Sequence, residues 1–351
     1  MLASNALSIE GVARRATCAF LVACAFGASS SAEEPAVAKF LRTVIGFTDE
    51  QIVTVDKGQV VTRQLASADK AEVAAFGAVK VATDKESYLQ KLRDVVSFRR
   101  TPSVLEIGRF SQPPTLADVA GLSLDDGDFE AARKCRPGAC NLKLARSAIE
   151  RMQAEIAWDK PDAKDRASAL MRQMLVEYVA AYMQGGTAAM ATYYDKDQPL
   201  DAPSEFAKLL LASPYLIEYA PELNAYVEQY PRGSLAGAED IFYWAKDKSG
   251  PKPTIAVFHL TLWKDAQDPE RVVIASKQIY ASHYIRVGLD LTALVDAPRG
   301  APGFYLMDLF RGRIDPPGGM FATVILGKIR GSIESSMGAS LASAKAKLET
   351  R

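Results

Sequence analysis

The spacing of apolar residues changes along the chain, and the changes divide it. From about residue 239 they fall on every second position. In TIAVFHLTLW (254–263), Ala256, Phe258, Leu260 and Leu262 form one wholly apolar face, the alternation of a strand. RVVIASKQIYASHY, IRVGLDLTALVDA and GFYLMDLFRGRI follow with short polar or Gly/Pro breaks, which predicts an antiparallel meander. Beyond DPPGG (315–319), Val324, Ile325, Ile329, Ile333, Met337 and Leu341 recur about every four residues. That stripe predicts a long amphipathic helix reaching about Leu348.

From about 115 to 230 the spacing is helical. ASALMRQMLVEYVAAYMQGG places Leu170, Leu175, Val179 and Tyr182 on one stripe, and Gly185 and Gly186 stop it. SEFAKLLLA and PYLIEYAPELNAYVEQY follow, with Pro214 and Pro221 near their starts or kinks. Residues 59–111 mix the two periods: QVVTRQL, EVAAFGAVKVA, then Asp84 as N-cap of KESYLQKLRDV, a helix that packs Tyr88, Leu89 and Leu92, then SVLEIGRF as a further strand.

The N-terminus follows a different logic. Arg14 and Arg15, the short apolar run ATCAFLVACAFGA (16–28) and the small residues SSA (30–32) occur in the order of a secretion signal, with cleavage near Ala32. The run is too short to span a bilayer, which needs about 20 apolar residues. LVAC (21–24) also fits a lipobox, so the alternative to a soluble periplasmic or secreted protein is a lipoprotein anchored at Cys24. Cleavage near Ala32 removes Cys18 and Cys24 and leaves Cys135 and Cys140, in CRPGAC. An exported chain is expected to oxidise such a pair. Pro137 and Gly138 can turn the backbone far enough to bring the two cysteines within bridging distance. A zinc site needs four ligands and the chain has only two histidines, both distant in sequence; a redox pair more often has C-x-x-C spacing. The expectation is a disulfide staple, with no metal and no cofactor.

Composition narrows the partners. Lys plus Arg is 42 and Asp plus Glu is 42, so no net field attracts nucleic acid, and no basic run builds a local one. Past the signal no apolar run reaches about 18 residues, so a membrane contact is expected only transiently or through a lipid at Cys24.

The order of elements resembles the helix-grip fold of the START and polyketide-cyclase superfamily. An early strand leads to a helix, antiparallel strands follow, and RGRIDPPGGMFATVILGKIRGSI carries Asp315, Pro316, Gly318 and Gly319 in a turn before the terminal helix. The resemblance covers about 72–111 and 239–349. MFATV stands where the family has Pro and Trp after that turn, and the helical stretch between would be a large insertion. It implies an α+β fold, a curved antiparallel sheet gripping the C-terminal helix. Its divisions would be a signal at 1–32, an N-terminal part at 33–114, a helical insertion with Cys135 and Cys140 at 115–235, and strands with the last helix at 236–351. It further implies an apolar cavity, lined by Phe258, Leu260, Leu289, Leu291, Ile329, Ile333 and Met337 if the apolar faces point inward; close packing with no cavity is the alternative.

Polar candidates are few. His259 lies in the opposite phase to Phe258 and Leu260, and His283 sits in ASHY near a strand end; either has the side chain of a general base. No G-x-S-x-G elbow and no H-E-x-x-H accompanies them. Asp125, Asp126 and Asp128 in LSLDDGDFEAA lack EF-hand spacing and read as the capping acids of a helix. The tyrosines of 178–230 sit at helical spacing and read as core with wet hydroxyls. Three functions remain: a carrier binding a lipid or other apolar small molecule without chemistry, a hydrolase or isomerase using His259 or His283, and a structural envelope protein with a filled core.

Overall fold

The structure, a computed structural model, describes residues 36–350 apart from 249, 269 and 299. The predicted signal, with Cys18 and Cys24, lies outside the described residues. The chain enters through α1 (Ala36–Phe40), a wider turn at Leu41–Ile45 and α2 (Asp49–Asp56). Strands β1 (Val61–Leu65) and β2 (Glu72–Val81), helices α3 (Lys85–Arg93) and α4 (Val95–Arg99), and β3 (Val104–Arg109) follow. Then come α5 (Asp126–Lys134), α6 (Arg146–Glu155), α7 (Ala163–Gly185), the short pair β4 (Thr192–Tyr193) and β5 (Leu200–Asp201), α8 (Ala202–Leu211), α9 (Pro214–Tyr219) and α10 (Pro221–Gln229). The chain closes with β6 (Ala238–Asp247), β7 (Thr254–Lys264), β8 (Val272–Ala281), β9 (Ile285–Asp296), β10 (Phe304–Ile314) and α11 (Ala322–Glu349).

The fold is α+β. Eight strands form one sheet in the order β1-β2-β10-β9-β8-β7-β6-β3, antiparallel throughout. The predicted meander forms its centre, β2 closes beside β10, and β3 pairs with β6. Asp84 caps α3 as expected, its carboxylate accepting the Ser87 N–H at 2.7 Å, and Tyr88, Leu89 and Leu92 are buried. Asp125 caps α5 in the same way through the Asp128 N–H at 2.8 Å, so LSLDDGDFEAA is a helix start.

Both faces of the sheet are covered, and each face has its own core. Side chains alternate along a strand. On β10, Tyr305, Met307 and Leu309 enter a core shared with α2 and α5 to α8, whereas Phe304 and Leu306 enter one shared with α3, α4 and α11. A bulge between Val257 and Phe258 on β7, opposite Tyr280 and Gln278 on β8, sends Ile279 and Tyr280 into the same helical core.

Helix α11 runs along β2 and β1, with Met337, Leu341 and Leu348 buried in its second half. Gly77 on β2 permits this approach, because a Cβ there would collide with the Leu341 side chain. The first two turns are held less closely. Met320 is 90% and Phe321 64% exposed, and Val324 and Ile325 are also exposed. The helix is pinned further along: Glu334 accepts from the Thr62 hydroxyl and the Gln64 amide, and Lys347 reaches the carbonyls of Ser97, Phe98 and Arg100.

Cys135 and Cys140 are disulfide-bonded, with Cα atoms 4.4 Å apart. Gly138 takes a φ of 89° and its N–H donates to the Tyr194 carbonyl, while the Cys140 N–H donates to Asp195, so the small loop is tied to the chain just beyond β4.

Candidate binding site

Between the sheet and α11 an apolar layer is interrupted by polar side chains. Its floor is the even-numbered positions of β7, β9 and β10. Tyr243 of β6 stacks on Phe258 with ring centres 4.8 Å apart, and Phe310 shares that core. Phe258, Asp290 and Phe310 lie on interior strands yet are only half-buried. They are floor positions that the layer above leaves partly open.

The register creates the polar part. Thr292 pairs with Asp308 and Asp290 with Phe310, so the two aspartates are diagonal neighbours on adjacent strands. The Thr292 hydroxyl donates to Asp308 Oδ1 at 2.9 Å. Burial first, and the neighbouring Asp308 second, push Asp290 well above the usual carboxylate range.

Arg99, at the end of α4, faces the pair. Burial opposes its charge, but Tyr243, Tyr88, Asp290 and Asp308 around it favour the charged form and hold its pKa above the ordinary value. Its Nε is buried with no hydrogen-bond partner among the described residues. Two more buried atoms share that condition on this side: Asp290 Oδ1 and Gln278 Nε2. Gln278 lies opposite Gly288, whose missing side chain leaves room for both Gln278 and the Phe310 ring. Where Arg99, Thr292 and Asp308 meet Ser340 and Leu341 of α11 there is a cavity of about 30 Å³, the space of a water or two.

The predicted lining divides. Phe258, Leu260, Ile333 and Met337 meet in the core beneath α11. Ile329, one turn nearer the helix start, is half-buried and outside that core. Leu289 and Leu291 point the other way, into the core beneath α5 to α8, and cannot line the same cleft. The physical reason is that both faces of β9 are covered by apolar layers, so apolarity alone does not choose the inward face.

The histidines are on the helical side. His259 Nε2 lies 2.9 Å from Asp240 Oδ1 and Nδ1 3.1 Å from the Tyr182 hydroxyl, with its ring stacked on Phe242 at 4.5 Å. Burial pushes its pKa down, against the opposing pull of Asp240. Tyr226 and Thr261 also donate to Asp240, completing a buried network that joins α7 and α10 to the sheet. His283 Nε2 lies 2.8 Å from Asp128 Oδ1, both buried, and ties α5 to the β8–β9 turn. Neither histidine faces the cleft beneath α11. Among the described residues no group of three or more His, Cys, Asp or Glu is placed to hold a metal ion.

No family profile matches the chain, and no curated protein matches it. Among solved structures the chain is similar to norcoclaurine synthase from Thalictrum flavum, determined in complex with dopamine and hydroxybenzaldehyde. The match has 12% identity and a TM-score of 0.20, and covers 40% of this chain and 80% of that one.

Proposed function

We propose that this chain binds an apolar small molecule, a lipid or a compound of similar character, in the cleft between the sheet and α11, without chemistry. The observation that carries the reading is the half-buried floor of Phe258, Asp290 and Phe310 on interior strands, on the sheet face that α11 covers, together with the exposed first turns of that helix. Interior sheet positions are ordinarily closed by the layer above them, and a concave apolar surface with a few polar groups is the usual small-molecule site. Because the enclosed space is about 30 Å³, entry of a larger ligand requires α11 to move away from the floor. The exposed Met320, Phe321, Val324 and Ile325 mark the end that is free to do so.

A hydrolase or isomerase built on His259 or His283 has less support, since each imidazole is enclosed by its own carboxylate partner on the other side of the sheet. We further propose that residues 1–32 are an export signal and that the protein acts in the periplasm or outside the cell, with lipid anchoring at Cys24 the alternative. N-terminal sequencing of the exported protein separates these: Glu33 first for cleavage near Ala32, a blocked Cys24 for the anchor.

Native mass spectrometry of the purified protein, followed by organic extraction, tests the binding. A stoichiometric lipid or isoprenoid supports the carrier. A clean apo mass, with no fluorescence gain when N-phenyl-1-naphthylamine is titrated in, overturns it in favour of a filled core.

A further inference from the structure

The cleft reading leaves open which end of a ligand goes where. Three buried polar atoms without partners lie on the α11 side of the sheet: the Arg99 Nε donor, the Asp290 Oδ1 acceptor and the Gln278 Nε2 donor. Nearly all buried polar groups are paired, and each orphan costs about 1–3 kcal/mol. The three are neighbours. Ser276 pairs with Asp290 and Gln278 with Gly288, so Gln278 and Asp290 are diagonal across β8 and β9, and Arg99 lines the small cavity with Asp308, the diagonal neighbour of Asp290 on β10. Within one patch the protein therefore offers two donors and one acceptor, unspent.

We propose that this patch is the head-group pocket of the cleft, and that it takes an uncharged head carrying both a hydrogen-bond acceptor and a hydroxyl donor, such as a glyceryl ester. The inference rests on the cleft being a binding site. Arg99 and Gln278 would donate to the head's carbonyl or ether oxygen, and Asp290 Oδ1 would accept from its hydroxyl. Donor–acceptor complementarity argues for such a head. A carboxylate brings acceptors but no donor for Asp290 Oδ1, and an ammonium brings donors but no acceptor for Arg99 Nε or Gln278 Nε2. Either would leave part of the patch unpaired. The apolar remainder of the ligand would lie over Phe258 and Phe310 toward Ile333, which share this core.

The test uses the purified full chain loaded with N-phenyl-1-naphthylamine, an uncharged apolar fluorophore. Three competitors with the same twelve-carbon chain, monolauroylglycerol, laurate and dodecylamine, displace it below their micelle concentrations. Monolauroylglycerol should displace the probe at about tenfold lower concentration than either charged competitor. Arg99→Met and Gln278→Met should reduce that advantage to about threefold or less while probe binding persists. Gln278→Met guards against misfolding of the arginine variant, because its amide Nε2 has no partner to lose. Equal displacement by all three, preference for a charged competitor, or full selectivity in Gln278→Met would overturn the head-group assignment and leave the cleft intact. Failure of the wild-type chain to bind the probe would bring down the cleft reading, and the head-group pocket with it.

Discussion

Lys277 should be a liability that the fold tolerates, and replacing it by Met should stabilise the protein. The side chain sits on β8 opposite His259, is 1% exposed, and has as its polar partner the Thr187 hydroxyl at 2.6 Å. Burial lowers its pKa from 10.5 to about 7. Between those values the unfolded chain holds a proton that the folded chain does not, so stability rises with pH by about 1.4 kcal/mol per unit from about 7 to 10.5. Below about 7 both states are protonated and the slope vanishes. The full penalty at neutral pH is about 4–5 kcal/mol. Part of it is offset, because Nζ lies 3.9 Å from the Phe206 ring centre and 5.3 Å from that of Tyr182, an arrangement worth about 1–2 kcal/mol to the charged form. Lys277→Met keeps the length of the chain and removes the charge, and should gain about 2–4 kcal/mol at pH 7.5. Guanidinium unfolding of both proteins at pH 7.5 and 9.5 measures it. The gap should narrow by at least about 2 kcal/mol at the higher pH. A destabilised variant, or an equal gap at both pH values, would refute the reasoning.

Glu205 should act in the opposite sense. Burial works to raise its pKa, but hydrogen bonds from Lys208, Arg313 and Arg286 outweigh it and hold the carboxyl at about 2. Its stabilisation is present above pH 4.5 and lost as pH falls toward 2, so Glu205→Gln should lower the unfolding midpoint at pH 7 and flatten the acid limb of the stability curve. Gly186→Ala should destabilise by at least about 3 kcal/mol, because φ is 59° and the new Cβ would enter the Tyr230 carbonyl; thermal denaturation reports it. Asp240→Ala strands the hydroxyls of Tyr226 and Thr261 and one nitrogen of His259, with an expected loss of about 3 kcal/mol in urea unfolding. Thiol alkylation without reductant should leave Cys135 and Cys140 unlabelled in the intact mass, and reduction should cost about 2 kcal/mol, the value for so short a loop.

The elements with a strong period were legible. The alternation in TIAVFHLTLW gave β7, the four-residue stripe after DPPGG gave α11, and two aspartates announced the starts of α3 and α5. The pairing of CRPGAC was legible too, because turn chemistry is local. What stayed hidden depends on neighbours across the sheet. Leu289 and Leu291 look like Phe258 and Leu260 in one dimension, and only the two covering layers distinguish them. Asp290 and Asp308 are 18 residues apart and become a pair solely through the β9–β10 register. A faint signal existed: in GLDLTAL and LMDLFRG an acid stands between leucines or methionine within a run of mostly apolar strand positions, the wrong place for a solvated carboxylate. Arg99 carried no signal, since a basic residue at the end of a short helix is ordinary.

The two-sided sheet has a consequence for how this protein can change over time. Along β7, β9 and β10 the parity of the residue number decides which layer a side chain serves, odd for the helical layer and even for α11. Substitutions of one parity are screened from those of the other by the backbone between them. Under the proposed carrier function, the even-numbered surface can therefore drift toward a new cargo while the helical side is held constant by selection on stability, and a saturation-mutagenesis map of these strands should split into two alternating series, one tracking folding and the other binding.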